Sequence, residues 1–296
     1  MYNAENLTSI NMWLAELREY FISTEPDILY LFDTYADEAL YGRNYIASDL
    51  KHLHPGARVL EVGAGSLLLS SQLVREGFDV TAIEPFGHGF SHFIRMQQLI
   101  LKKSAASGCL PNCLSMMAED FSEHNSYDFA FSINSMEHVY DIERVIVNIK
   151  NSLHLGANYH FTCPNYLFPY EPHFNIPIIL SKSLTKKILY RKIVRSKMPD
   201  PSGVWESLNW ITINTIKNIV RKHPDIEAVF NKRILESTLE RIVHDKTFAS
   251  RRSPAVSKII SFLVQIKIHK LGRLIPAIFQ PNMDCKLHKR AECGCF

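Results

Sequence analysis

Val59-Leu60-Glu61-Val62-Gly63-Ala64-Gly65-Ser66 decides the fold. An apolar run leads into two spaced glycines, and a second apolar run ends in Glu84-Pro85. The spacing predicts a strand over 57–62, a helix over about 67–76 closed by Gly77, and a strand over 78–83. Glycines in such a turn let backbone amides approach a ligand at a helix N-terminus. An acid at the tip of the second strand can accept hydrogen bonds from ribose hydroxyls. The two features together predict a nucleoside-containing cofactor.

A dinucleotide fingerprint needs a glycine at the sixth position of its turn, and here that position is Leu68. Glu61 also argues against a pyrophosphate, which a nearby carboxylate repels, and for a ligand with an ammonium and a sulfonium, which it attracts. The pattern acid, any residue, Gly, any residue, Gly resembles the first motif of class I S-adenosylmethionine-dependent methyltransferases. A third glycine common in that family falls at Leu67. The resemblance implies S-adenosyl-L-methionine as cofactor. Glu61, Gly63, Ala64 and Gly65 would then surround its methionine portion, with Glu84 and Pro85 at the ribose. Glu119, or alternatively Asp120, would meet the adenine amino group, and Asn134 would line the same cleft.

The remaining pattern extends the alternation. A helix is predicted over 91–107, strands over 113–117, 127–133 and 157–163, and a helix from the fourth strand to about 153. Five strands alternating with helices argue for an α/β, doubly wound, mostly parallel sheet. Ligands bind beyond the carboxyl ends of such strands. Those ends carry Glu61, Glu84, Glu119, Asn134 and Asn165. The resemblance implies a seven-stranded sheet, with strand six near 228–234 and strand seven, near 283–289, returning antiparallel at the sheet edge. The expected layout is an N-terminal helical cover (1–55), a cofactor core (56–165) and substrate-side insertions with the last two strands (166–296).

Glu137-His138-Val139 is similar to the segment after strand four in ubiquinone-pathway methyltransferases and the broad type 11 and 12 groups, over about 33–165. In some quinone O-methyltransferases this segment binds a divalent metal through two acids and a His. By position those are Asn134, Glu137 and His138, and an amide in place of one acid removes a hard oxygen ligand, so no metal is expected. His138 is a candidate catalytic residue or a group packed beneath the cofactor. After strand five comes Pro164-Asn165-Tyr166-Leu167-Phe168-Pro169-Tyr170-Glu171-Pro172-His173-Phe174. His173 is the first candidate for a base that accepts a proton from a hydroxyl acceptor, and Glu171 the second.

The leader reads as helices over 11–22 and 28–40, followed by Tyr41-Gly42-Arg43-Asn44-Tyr45. Arg43 is a candidate to pair with the cofactor carboxylate. The net charge of +3 conceals an asymmetry: residues 1–180 hold 10 Lys and Arg against 21 Asp and Glu, and residues 181–296 hold 23 against 9. The basic half predicts an anionic partner, a membrane surface before nucleic acid, because its cations are interleaved with Ile and Leu. Residues 181–198 are expected to form a lid or insertion, and 255–279 an interfacial helix or hairpin with a stripe of Val256, Ile260, Leu263, Leu271 and Leu274. Six cysteines, with Cys109 and Cys113, and Cys293 and Cys295, closely spaced, are expected as reduced thiols. No signal peptide and no spanning segment is read, so a cytoplasmic protein, peripherally membrane-associated at most, is expected. The function expected is O-methylation of a small or lipid-linked acceptor. The alternatives are an NAD(P)-dependent oxidoreductase and a non-catalytic membrane-associated binding protein. Nothing in the sequence sets the oligomeric state.

Overall fold

A computed structural model describes residues 5–85, 93–196, 198, 200–245, 248–249 and 254–290. Cys293 and Cys295, and the first two residues of the helix expected over 91–107, lie outside the described residues.

The central sheet is built from β1 (Arg58–Val62), β2 (Asp79–Ile83), β3 (Asn112–Leu114), β4 (Tyr127–Ile133) and β5 (Leu153–Pro164), with β8 (Ile226–Phe230) and β9 (Asn282–Lys289) completing it. Its order is β3-β2-β1-β4-β5-β9-β8. The first five strands are parallel, whereas β9 runs antiparallel to both β5 and β8. This is the expected α/β architecture with one correction. The last strand does not close the edge: it inserts between strands five and six, and strand six forms the edge. A two-residue hairpin, β6 (Tyr170–Glu171) with β7 (Ile176–Pro177), stands outside the sheet.

Strand pleating divides the core in two. Leu60, Val62, Ala130, Tyr159 and Phe161 belong to one buried cluster, and Val59, Val80, Ala82, Phe129 and Phe131 to the other. Neighbouring residues alternate between clusters, as a period of two requires when both faces are covered. The crossovers are α4 (Leu68–Arg75), α5 (Phe93–Ala106) and α6 (Ile142–Ser152). In α6, Asp141 caps the N-terminus by accepting from Arg144 N at 3.0 Å. Val145, Ile146 and Ile149 form its buried stripe.

The leader forms α1 (Glu5–Thr24), α2 (Leu29–Tyr45) and the short α3 (Ala47–Leu50). Ile10, Trp13, Leu17 and Phe21 recur at helical spacing and are fully buried. Each such side chain contributes about 1.5–3 kcal/mol on burial. Gly42 does not break α2 as its sequence context implies. A Cβ there would lie 2.7 Å from Ile133 Cδ1 and 2.9 Å from Leu69 Cδ2, so the glycine lets α2 press onto the end of β4 and onto α4.

After β5 the chain adds α7 (Lys182–Val194), α8 (Pro201–Ser207) and α9 (Ile213–Lys222). Between β8 and β9 it adds α10 (Ile234–His244), α11 (Pro254–Gln265) and a 3-10 segment (Ile268–Leu274). The segment expected over 255–279 is therefore not one helix. Lys267, at φ 62, turns the chain between α11 and the 3-10 segment. The expected stripe is exposed in part: Val256, Leu271 and Leu274 face solvent, Ile260 and Leu263 are half-buried, and Ile259 and Phe262 face solvent in their place. Among the described residues no helix is long and apolar enough to cross a membrane.

A buried ionic clamp ties the leader to the antiparallel strand. His160 of β5 lies 2.8 Å from Asp49 Oδ2 through Nδ1 and 2.7 Å from Asp284 Oδ1 through Nε2. Tyr45 donates to Asp284 at 2.7 Å and Lys286 to Asp49 at 2.6 Å. Burial works against the imidazolium, but the Asp284 and Asp49 hydrogen bonds outweigh it and raise the His160 pKa above 6.5. Burial likewise opposes ionisation of both acids, yet His160 holds each below 3.8. The histidine's contribution to stability is complete below its unfolded pKa of 6.5 and disappears as pH rises through the raised folded value. The acids' contribution is present above 3.8 and lost as pH falls through their lowered values. Urea unfolding from pH 6 to 9 should therefore show falling stability in the wild type and a flatter profile in His160→Gln. Parallel profiles would contradict the clamp.

Candidate active site

The glycine turn leaves β1 at Val62. Gly63 has φ 72 and Gly65 φ 51, both in the left-handed region. A Cβ on Gly63 would lie 2.5 Å from the Ser135 side chain. Ser135 Oγ donates to the Val62 carbonyl at 2.9 Å, so the tip of β4 is fastened against the turn. Leu67, where the third family glycine would fall, is itself left-handed, with φ 66. Its conformation costs about 1–3 kcal/mol, and its complete burial offsets that cost.

Two acids lie under this turn. Glu84, at the tip of β2, accepts from Gly65 N at 2.8 Å, with Pro85 following half-buried. Burial raises its pKa, and the Gly65 bond opposes the rise. Glu61 accepts from Ser70 Oγ of α4 and is buried. Burial, and then the charge of Glu84, push it up to about 8. The turn's own amides are engaged, Gly63 and Ala64 on the Ile83 carbonyl and Gly65 on Glu84. What the turn offers is therefore two desolvated carboxylates, an environment that favours a ligand bringing its own positive charge. The ammonium and sulfonium of S-adenosylmethionine meet that requirement.

Other predicted positions are used differently. Arg43 forms a bidentate, buried pair with Glu76, at 2.8 Å from both Nε and Nη2. Glu76 caps the far end of α4, about 12 Å of helix from the glycine turn. Arg43 is therefore a structural clamp of the leader and not the cofactor's carboxylate partner. Glu119 Oε1 accepts from Tyr140 N at 2.6 Å and Asp141 N at 3.1 Å, fixing the loop into α6. Asp120 is exposed and pairs with Arg144 at 3.3 Å. Asn134 is exposed at the tip of β4, at φ 52, with its N–H on the Thr162 carbonyl at 2.8 Å. Asn165 is buried, and its amide nitrogen donates to the Ile278 and Gln280 carbonyls, both at 3.0 Å, so it serves the insertion and not the cleft.

Beyond β4 and β5 the structure joins Glu137, His138, Glu171 and His173. His173 Nδ1 lies 2.6 Å from Glu171 Oε1. Glu171 is fully buried and also accepts from Phe174 N at 2.7 Å, His173 N at 3.2 Å and Tyr166 Oη at 3.3 Å. His173 Nε2 faces Glu137 Oε1 at 3.8 Å, and its side chain is 24% exposed, an opening neither glutamate has. Burial opposes the His173 imidazolium, but Glu171 and then Glu137 raise its pKa. Burial pushes Glu137 up to about 7. Burial and then the charge of His173 take His138 down to about 3, while its Nδ1 meets Ser207 Oγ at 2.8 Å. Trp205 and Trp210, with Tyr166 and Phe174, build the adjoining aromatic wall.

Ser135, Ser207, Trp205 and Trp210 were not singled out by sequence reasoning. The last three come from α8 and the turn after it, in a region whose local pattern shows only an insertion. Ser135 could have been found, because a small residue must face a glycine that approaches so closely. A side chain at Gly63 collides with Ser135 and disfavours φ 72. Gly63→Ala should lower affinity for S-adenosylhomocysteine at least about tenfold by calorimetry, equivalent to ~1.4 kcal/mol. Unchanged affinity would remove the turn from the site.

Comparison with known proteins agrees with this geometry. A family described as a methyltransferase domain matches residues 11–222. The uncharacterized protein Rv1509 of Mycobacterium tuberculosis (strain H37Rv) is 42% identical over 97% of this chain and 99% of its own length, and MT1557 of strain CDC 1551 matches equally. Among solved structures, Haemonchus contortus phosphoethanolamine N-methyltransferase 2 with S-adenosyl-L-methionine superposes with a TM-score of 0.50 at 17% identity over 85% of this chain. This chain spans about half of that protein, 53%. The plantazolicin methyltransferase BpumL with S-adenosylhomocysteine is similar at 12% identity and a TM-score of 0.49, over 97% of this chain and 98% of its own. The methyltransferase-domain match sets aside the oxidoreductase alternative. The chain belongs to the methyltransferase-domain family and is a class I S-adenosylmethionine-dependent methyltransferase.

Proposed function

We propose that this enzyme methylates a hydroxyl of a small or lipid-linked acceptor by in-line transfer from the sulfonium. The observation that carries the reading is the His173–Glu171 pair at 2.6 Å. With Nδ1–H donated to Glu171, the tautomer is fixed and Nε2 carries the lone pair. Three further donors on Glu171 leave the ring little freedom to turn. The acceptor hydroxyl gives its proton to Nε2 as its oxygen attacks the methyl carbon. The sulfonium becomes a neutral thioether as the C–S bond breaks. The aromatic wall orients the acceptor and excludes water. His138 holds the floor of the cleft through Ser207. Within the cofactor cleft, Glu61, Gly63, Ala64, Gly65, Glu84 and Pro85 surround the methionine and ribose portions. Asn134 lines the same cleft. The ubiquinone-pathway resemblance of Glu137-His138-Val139 supports an oxygen nucleophile.

The C-terminal insertion supports a peripheral membrane role. Residues 254–283 hold four basic residues and no acidic one. Ile259, Phe262, Leu271, Leu274 and Phe279 are each between 58% and 73% exposed. Cations among exposed aliphatic and aromatic groups suit an anionic lipid surface.

Radiolabelled methyl donor, offered with lipid and aqueous extracts, should label a hydroxyl-bearing component. His173→Ala should lower transfer by about 10²–10⁴ and keep affinity for S-adenosylhomocysteine. Undiminished transfer would dismiss the base. Sedimentation with anionic vesicles at low salt, and release at high salt, should accompany it, and equal partition onto neutral vesicles would remove the membrane role.

A further inference from the structure

The acceptor side of the cleft contains one feature that proton transfer does not explain. Glu137 is fully buried, and neither carboxylate oxygen has a hydrogen-bond partner. His173 Nε2, at 3.8 Å, stands beyond hydrogen-bond reach, and a buried ionised carboxylate so placed favours a cation in direct contact. Two imidazoles stand beside it. The ligand-capable atoms of Glu137, His138 and His173 all lie within 4.8 Å of one another.

We propose that Glu137, His138 and His173 form a binding site for one zinc-class divalent cation. Two nitrogens and one oxygen match the donors that borderline transition ions take, whereas magnesium and calcium favour all-oxygen shells. Three protein ligands leave a fourth position open towards the cleft. Each ring has a partner behind it of the kind that orients metal-binding imidazoles: Glu171 at 2.6 Å from His173 Nδ1 and Ser207 Oγ at 2.8 Å from His138 Nδ1. The sequence offered Asn134 as the third donor, but Asn134 is exposed at the tip of β4. His173, from the turn after β6, takes that place, 36 residues beyond Glu137. A second group, Glu236, Glu240 and His269, lacks the unpartnered carboxylate because Arg233 pairs with Glu236 at 3.1 Å.

The cation engages the lone pair of His173 that the acceptor's proton would otherwise take. Occupancy therefore switches methyl transfer off. This regulatory consequence rests on the base assignment above, whereas the site itself does not.

The test titrates cobalt(II) into untagged, metal-free, full-length protein and follows visible absorption. One cobalt per chain should bind, with no thiolate-to-metal charge-transfer band. Glu137→Gln should weaken binding at least about tenfold, because a neutral amide oxygen replaces the one anionic donor of the group. Ser207→Ala, a milder change behind His138, should weaken it about tenfold. A thiolate band, or equal affinity in both variants, overturns the site. Zinc saturation should lower wild-type transfer at least about tenfold. Binding without inhibition overturns the switch alone, and undiminished transfer in His173→Ala overturns the base assignment instead.

Discussion

Two carboxylates held in a low-dielectric turn constrain everything else in this protein. Among the described residues, Glu61 and Glu84 are buried with donors from Ser70 and Gly65, and neither owes its shifted pKa to a neighbouring cation. Such a pair is uncomfortable when empty and comfortable around a cationic nucleoside. Parallel strands bring their carboxyl ends to one edge, and the glycine turn folds there with its amides on Ile83 and Glu84. Ser135 then locks the tip of β4 to that turn. Glu137 and His138 follow within three positions of Ser135, so this part of the acceptor side starts from the point where β4 meets the cofactor turn.

Much of the cofactor half was legible because its signals are local. Val59 to Gly65 encodes a strand and turn in adjacent residues, and β4 reads as a buried run because both faces are covered. The long α2 was misjudged at Gly42, where tertiary packing against Ile133 and Leu69 overrides propensity. Arg43 was misassigned for a similar reason. Its partner Glu76 lies 33 residues away, and no local pattern marks a buried ion pair. The position of β9 inside the sheet was equally hidden, since alternation in a strand does not name its neighbours.

The acceptor side shows where a single sequence stops being sufficient. Glu171 and His173 were readable as chemistry-bearing residues in a proline-stiffened stretch. Their pairing with Glu137 and His138 depends on β4 and β5 lying side by side and on the short hairpin folding back. Ser207 and the two tryptophans arrive from α8 and the turn after it, and nothing near them in the chain announces a cleft. The insertion between β8 and β9 is similar: its basic and apolar composition was visible, but the turn at Lys267 decides which apolar residues face outward.

Calorimetry with S-adenosylhomocysteine in two buffers of different ionisation enthalpy tests the central claim most directly. Glu61 sits at about 8 without a ligand, so arrival of the ammonium should restore its negative charge and release a proton. The account predicts tight binding near neutral pH with proton release that disappears in Glu61→Gln. Absence of heat with this compound, together with firm association of NADH, would contradict it.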